Sequence, residues 1–304
     1  ILRQDYPEIE YLVIDDGSTD DTPEVVRPYL DRLRYIRHEN IGETRTVNKG
    51  YQLSDGELIG VVNADDPLFE NTAVSEIVRY LKESRAAVAA YPDWVSIDQD
   101  GKVIEAMRQP DYNLENMLAT FDVTLGPGMF IKKSVLEAVG WRNEALKYTG
   151  DLDLSFRLAM EGELMHVPLV LATHRVHAMA ASSTDQGEHM ASEVLRLAEI
   201  CLASPLLPKR ILDRKNIIFY GAYYAASRFC GKDLKTKLIL RSKSLAYGLI
   251  SPEWWYSKLR DPGRLIRKWI SSSHFDWLRD VIHRKLPIPI KKAIKNILQI
   301  FGFI

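Results

Sequence analysis

Residues 10–20 read Glu10-Tyr11-Leu12-Val13-Ile14-Asp15-Asp16-Gly17-Ser18-Thr19-Asp20. An apolar run too short for a helix ends in two carboxylates, and residues that favour turns and helix starts follow. This predicts a buried strand, a turn and then a helix over about 20–32. The unit repeats downstream: a strand at 33–37, a helix at 43–53 and a strand at 58–62. That strand runs into Asn63-Ala64-Asp65-Asp66-Pro67, ahead of a helix at about 70–83 and a strand at 87–91. The strands are apolar without alternation, so both of their faces are covered. The expected class is α/β, a Rossmann-like, mostly parallel sheet flanked by helices. In such sheets ligands bind outside the carboxyl ends of the strands, where Asp15/Asp16 and Asp65/Asp66 fall.

Farther along, 94–105 reads as a hairpin turning at Asp98-Gln99-Asp100-Gly101, and 126–131 and 167–173 read as strands. Gly150-Asp151-Leu152-Asp153-Leu154 opens a helix ending near Gly162, and from about 187 onward the pattern is helical. The chain of 304 residues is 46% hydrophobic and 27% charged, which suits a packed core. Its net charge of −1 gives no case for nucleic-acid binding, but residues 251–304 carry eleven Lys/Arg against four Asp/Glu. Cys201 and Cys230 lie in no metal or disulfide pattern and read as small core residues. No run of apolar residues is long enough to span a bilayer, and no signal peptide is seen. A cytoplasmic location follows as the expectation.

Adjacent carboxylates at a strand end repel unless a positive group sits there. A hard cation such as Mg²⁺ or Mn²⁺ suits Asp65 and Asp66, because it takes oxygen ligands and is held by one or two carboxylates plus substrate phosphates. The plainer alternative is a turn that caps the next helix. Asp15-Asp16-Gly17-Ser18 can close a turn and cap the next helix, and Asp16 can equally accept hydrogen bonds from a base or ribose. An aspartate-nucleophile phosphatase would need an Asp two positions before Asp16, where Ile14 stands. Asp151 and Asp153 can complement a helix N-terminus, or one of them can act as a general base.

Taken in order, these segments resemble the family 2 glycosyltransferases, which have the GT-A fold. The matching pieces are Gln4-Asp5-Tyr6-Pro7, residues 10–22, Asn40-Ile41-Gly42, Asn48-Lys49-Gly50, Gly56-Glu57 and Asn63-Ala64-Asp65-Asp66. Val139-Gly140-Trp141, residues 150–154, Arg157-Leu158 and Arg175-Val176-His177 complete the set. The resemblance covers about residues 4–180, and the family's usual first strand and helix would lie ahead of Gln4. It implies a nucleotide-sugar donor, often a uridine diphosphate sugar, held by Asp15, Asp16, Asn48, Asn63 and Asp65. It implies a metal, Mn²⁺ or Mg²⁺, on Asp65 with Asp66 and His177 in support, and Asp151 as the catalytic base of an inverting transfer. The chain departs from the family pattern at Asn63, where the first Asp of Asp-x-Asp usually stands, at Gly150 for a Glu, and at Val47 for an Arg.

The expected division is a GT-A domain over 1–186 and a helical region over 187–304. The expected acceptor is a glycan or a lipid-linked sugar. Trp254, Trp255, Trp269 and Trp277, interleaved with Arg264, Arg267, Lys268, Lys291, Lys292 and Lys295, suggest helices lying peripherally on the inner face of the cell membrane. Two other functions fit parts of the pattern: a catalytically silent glycosyltransferase-like module that binds a nucleotide, and a nucleotidyltransferase. The latter needs a basic, Gly-rich phosphate loop that this sequence does not show.

Overall fold

A computed structural model describes residues 1–121, 125–176, 187–229 and 233–251. Strand β1 (Leu12–Asp15) pairs in parallel with β2 (Arg34–Arg37), Leu12 opposite Arg34 and Asp15 opposite Arg37. The helix between them is shorter than expected. Helix α1 spans Thr22–Val26 and passes into one 3₁₀ turn at Arg27–Tyr29, because Pro28 cannot donate to an α-helical ladder. Helix α2 (Glu43–Leu53) has the expected ends, and β3 (Leu58–Gly60) stops just short of its expected one. Helix α3 (Ala73–Glu83) follows.

Strand β4 (Ala87–Ile97) absorbs both the strand at 87–91 and the first arm of the hairpin. The two were expected to be separate, but the strand runs through Pro92, with pairing irregular on both sides of Asp93. Strand β5 (Val103–Met107) returns antiparallel around Gly101, as expected of the hairpin, with Asp98 Oδ1 accepting the Asp100 and Lys102 N–H groups. Helix α4 (Leu114–Thr120), strand β6 (Phe130–Lys132), helices α5 (Lys133–Val139) and α6 (Gly150–Glu161) and strand β7 (Glu163–Arg175) come next.

Strand β4 is the centre of the larger sheet and is buried on both faces. Strand β7 lies parallel to it on one edge; β6 and β5 share the other edge, and β6 leads on to β3. The α/β layout thus combines two parallel pairs, β1–β2 and β4–β7, with antiparallel pairs at β6 and β5. A cavity of about 710 Å³ lies between β1 and β3, lined by Leu12, Ile14, Tyr51, Ile59, Val61 and Val78. On one face Ile77 and Leu81 of α3 pack on Ala87, Ala90, Val167 and Leu171. The other face carries Leu118, Leu154 and Phe156 with helices α7 (Gly187–Ala203) and α9 (Lys215–Phe229).

Helix α8 (Lys209–Leu212) and helix α10 (Leu234–Leu249) complete the described helices. Gly221 brings α9 so close to α4 that a Cβ there would lie 2.3 Å from the Ala119 carbonyl oxygen. One compact unit therefore runs from Ile1 to Ile250, past the 186/187 boundary read from the sequence. Cys201 is buried as expected, and burial, with Asp153 nearby, pushes its thiol up to about 12. Cys230 and the Trp- and Lys-rich residues 252–304 lie outside the described residues. Among the described residues no helix is long and apolar enough to cross a membrane.

Candidate active site

The Asp15 side chain is fully buried. Its Oδ1 accepts the Ser18 N–H at 2.7 Å, the Tyr35 hydroxyl on β2 donates to Oδ2, and Arg37 Nε is 3.4 Å from that oxygen. Asp16 ties down the loop before α2: its two oxygens accept the Ile41 and Gly42 N–H groups at 2.7 and 3.0 Å. Gly17 turns between them at φ +79°, where a Cβ would sit 2.7 Å from Asn40 N, so only glycine fits. Burial alone would raise both carboxyls. For Asp16 the amides of Ile41 and Gly42, with His38 close by, reverse this and hold it below its ordinary value. For Asp15 the Tyr35 hydroxyl, Ser18 and Arg37 win, and it falls to about 2.

A depressed carboxyl stabilises the fold above its unfolded pKa, and that contribution disappears as pH falls through the folded value. The chain should therefore lose stability between about pH 4 and about pH 2, and Asp15→Asn should flatten this limb. Denaturant titrations across that range check it; parallel losses in wild type and variant would remove Asp15 as the cause.

At the end of β3 the two carboxylates separate. Asp65 is exposed and Asp66 is buried. Asp66 Oδ1 accepts the Arg175 N–H at 2.6 Å and Oδ2 accepts Asn63 Nδ2 at 3.2 Å. Arg175, the last residue of β7, reaches back to the carbonyls of Asp65, Asp98 and Gln99. The strand ends of β3, β4 and β7 are thus fastened together, and Asp65 is presented beside the knot.

The segment from 139 to 157 repeats the pattern. Asp151 is exposed in the first turn of α6, while Asp153 is buried against Arg157, whose guanidinium lies 2.7 Å from Asp153 Oδ2. Arg157 also donates to the carbonyls of Val139, Gly140 and Trp141, where α5 ends. Asn48 on α2 is buried: its Nδ2 donates to the Arg142 carbonyl and its Oδ1 accepts the Arg142 N–H, at 2.9 and 2.8 Å. The Asp151 charge acts on Arg142 and Tyr51. From α7, Glu193 accepts the N–H groups of Lys147, Tyr148 and Thr149 at 2.9, 2.8 and 3.1 Å. Those are the residues that lead into Asp151.

The family model "Glycosyl transferase family 2" matches residues 1–138. The matched stretch belongs to that family. An uncharacterized glycosyltransferase of Rickettsia prowazekii is 28% identical over 194 residues, covering 60% of this chain and 59% of the relative. Escherichia coli chondroitin synthase is 26% identical over 180 residues, 58% of this chain and 26% of that protein. The chain therefore spans about three-fifths of the first of these relatives and about a quarter of the second. Among solved structures, Staphylococcus aureus TarS 1–349 in complex with UDP-GlcNAc shares the fold with a TM-score of 0.62 at 18% identity, over 83% of this chain and 75% of that one. The Pyrobaculum calidifontis mannosyltransferase PcManGT, in complex with GDP-Man and Mn²⁺, gives 0.56 at 16% identity, over 98% and 81%. The fold class is GT-A.

The sites named from the sequence divide by burial. Asp15, Asn48 and Asp66 are inside and fasten backbone, and buried Asp153 holds Arg157, which does so. Asn63, Asp65 and Asp151 are exposed, and Asp16 is between the two groups. His177 lies outside the described residues, two positions beyond Arg175. Among the described residues no three His, Cys, Asp or Glu side chains converge as a metal site. An exposed Asp65 carboxylate beside the Asn63 amide fits a hard cation that draws its remaining oxygens from phosphate and water. It does not fit a cage made of protein ligands alone. Sequence reading missed Glu193 and Tyr35 and gave Arg175 no role of its own, because their partners are distant in the chain. Arg157, four residues after Asp153, carried a readable helix-spacing signal.

Proposed function

We propose that the chain is a metal-dependent, inverting glycosyltransferase that moves a sugar from a nucleoside diphosphate donor, a UDP-sugar, to a hydroxyl of a glycan or lipid-linked acceptor. The observation that supports this best is the division within the 65/66 and 151/153 pairs. In each, one acid is buried in the framework, Asp66 on the Arg175 N–H and Asp153 on the Arg157 guanidinium, and the other is exposed, one at the carboxyl end of a sheet strand and one on the first turn of α6. The complexes of TarS with UDP-GlcNAc and of the mannosyltransferase with GDP-Man and Mn²⁺ agree with it.

In this reading Asp16 and Asn63 face the nucleoside, and Asp15 and Asn48 keep their loops in register. Asp151 takes the proton from the acceptor hydroxyl while that oxygen bonds to the anomeric carbon. The bond from the anomeric carbon to the diphosphate oxygen breaks, and the nucleoside diphosphate leaves with the electron pair. Mn²⁺ or Mg²⁺ on Asp65 would offset the charge gained by the diphosphate. Asp66, with Arg175, fixes where Asp65 stands.

Calorimetric titration of UDP-, GDP- and dTDP-sugars, with and without Mn²⁺, tests the reading on wild type and Asp65→Ala. One nucleotide should bind only with metal, and the variant should lose that binding. Metal-independent binding that survives the substitution would refute the role of Asp65.

A further inference from the structure

Helix α10 turns an unusual face outward. At 100° per residue, Leu234, Leu238, Leu245 and Leu249 fall within an arc of about 60°, and each is 44–48% exposed. Ile239 and Ile250, at 45% and 62%, widen the apolar surface. Exposed Lys235 stands between them, and exposed Lys243 lies at the rim beyond the isoleucines, its ammonium 5.5 Å from the Tyr223 ring of α9. Over 234–249 the helix has four cations, Lys235, Lys237, Arg241 and Lys243, and no Asp or Glu. Its inner side, Leu240, Ser244 and Gly248, is buried, with the Ser244 hydroxyl donating to the Tyr220 carbonyl of α9. The helix is therefore anchored, and the leucines are left on an open flank.

A contiguous apolar face of this size on a soluble chain marks a contact surface. Charge selects among the occupants. The residues that follow, 251–304, are themselves basic, with eleven Lys/Arg against four Asp/Glu, and would bring like charge onto Lys235 and Lys243. A second copy docked by the same face would set lysine on lysine. We infer that the outward face of α10 docks on an anionic lipid surface, with the leucines entering the headgroup boundary and the lysines meeting lipid phosphates. The compact unit would then meet the membrane through its own last helix, whatever residues 252–304 contribute.

The test is sedimentation of the full chain with vesicles of phosphatidylcholine alone and of phosphatidylcholine mixed with phosphatidylglycerol. Wild type should sediment with the anionic vesicles only. The exposed-site variant Leu238→Glu/Leu245→Glu should stay in solution while keeping wild-type thermal unfolding. Lys235→Glu/Lys243→Glu should bind roughly tenfold more weakly or worse, as should wild type in high salt. Three outcomes would overturn the inference: equal binding to neutral vesicles, undiminished binding by the leucine variant, or a wild-type dimer that the leucine variant splits while neither protein binds vesicles. The first points to apolar partitioning alone, the second to another segment, and the third to a second copy. Donor binding is unaffected by these substitutions, so the result stands apart from the proposed transferase activity.

Discussion

Asp151→Asn should lower turnover by about 10²–10⁴, the usual contribution of a positioned general base, while donor affinity stays at the wild-type value. The side chain is exposed on the first turn of α6, so the amide replaces it without burying anything new. Its one short contact, from the Leu152 N–H to Oδ1 at 2.7 Å, can be kept by the amide oxygen. The loop behind it, held by Glu193 and by Asn48, does not depend on the carboxylate. Steady-state rates beside calorimetric donor titrations separate the two quantities. Equal losses of turnover and donor affinity would move Asp151 out of the base role and into donor binding.

The neighbouring carboxylate should give the opposite result. Asp153→Ala removes one half of a buried ion pair and leaves the Arg157 guanidinium without its counter-charge. Breaking such a pair costs about 3–5 kcal/mol. Arg157 also donates to the three carbonyls where α5 ends. Removing both partners together, as in Asp153→Leu/Arg157→Met, should therefore recover only part of the loss, because those carbonyls lose their donor. Urea unfolding of the single and double variants measures this. Full recovery in the double variant would mean that the carbonyl contacts contribute nothing.

Much of this was readable from the chain before its structure. Carboxylates that follow short apolar runs identify strand ends, and this placed Asp15/Asp16 and Asp65/Asp66 at the sheet's carboxyl side. Spacing also gave α2 its ends and gave the β4–β5 turn its glycine. Which member of a carboxylate pair goes inside was not readable, because the deciding partners are remote: Tyr35 and Arg37 for Asp15, Arg175 for Asp66. Local rules ended the strand at Tyr91, whereas tertiary pairing with β7 carries it on through Pro92, a residue that cannot donate. They also overran α1, where Pro28 ends the regular helix.

The alternation of locked and presented acids has a consequence for how such chains change over generations. Asp65 and Asp151 are exposed, so a gene copy can lose its chemistry in one step and still yield a folded product. Substituting Asp66 or Asp153 costs stability, and selection on any retained role will preserve them. Descendants that have drifted to silence should therefore keep the inner acids and scatter at the outer ones. Reading those four positions in a relative gives an early sign of whether it still turns over a substrate.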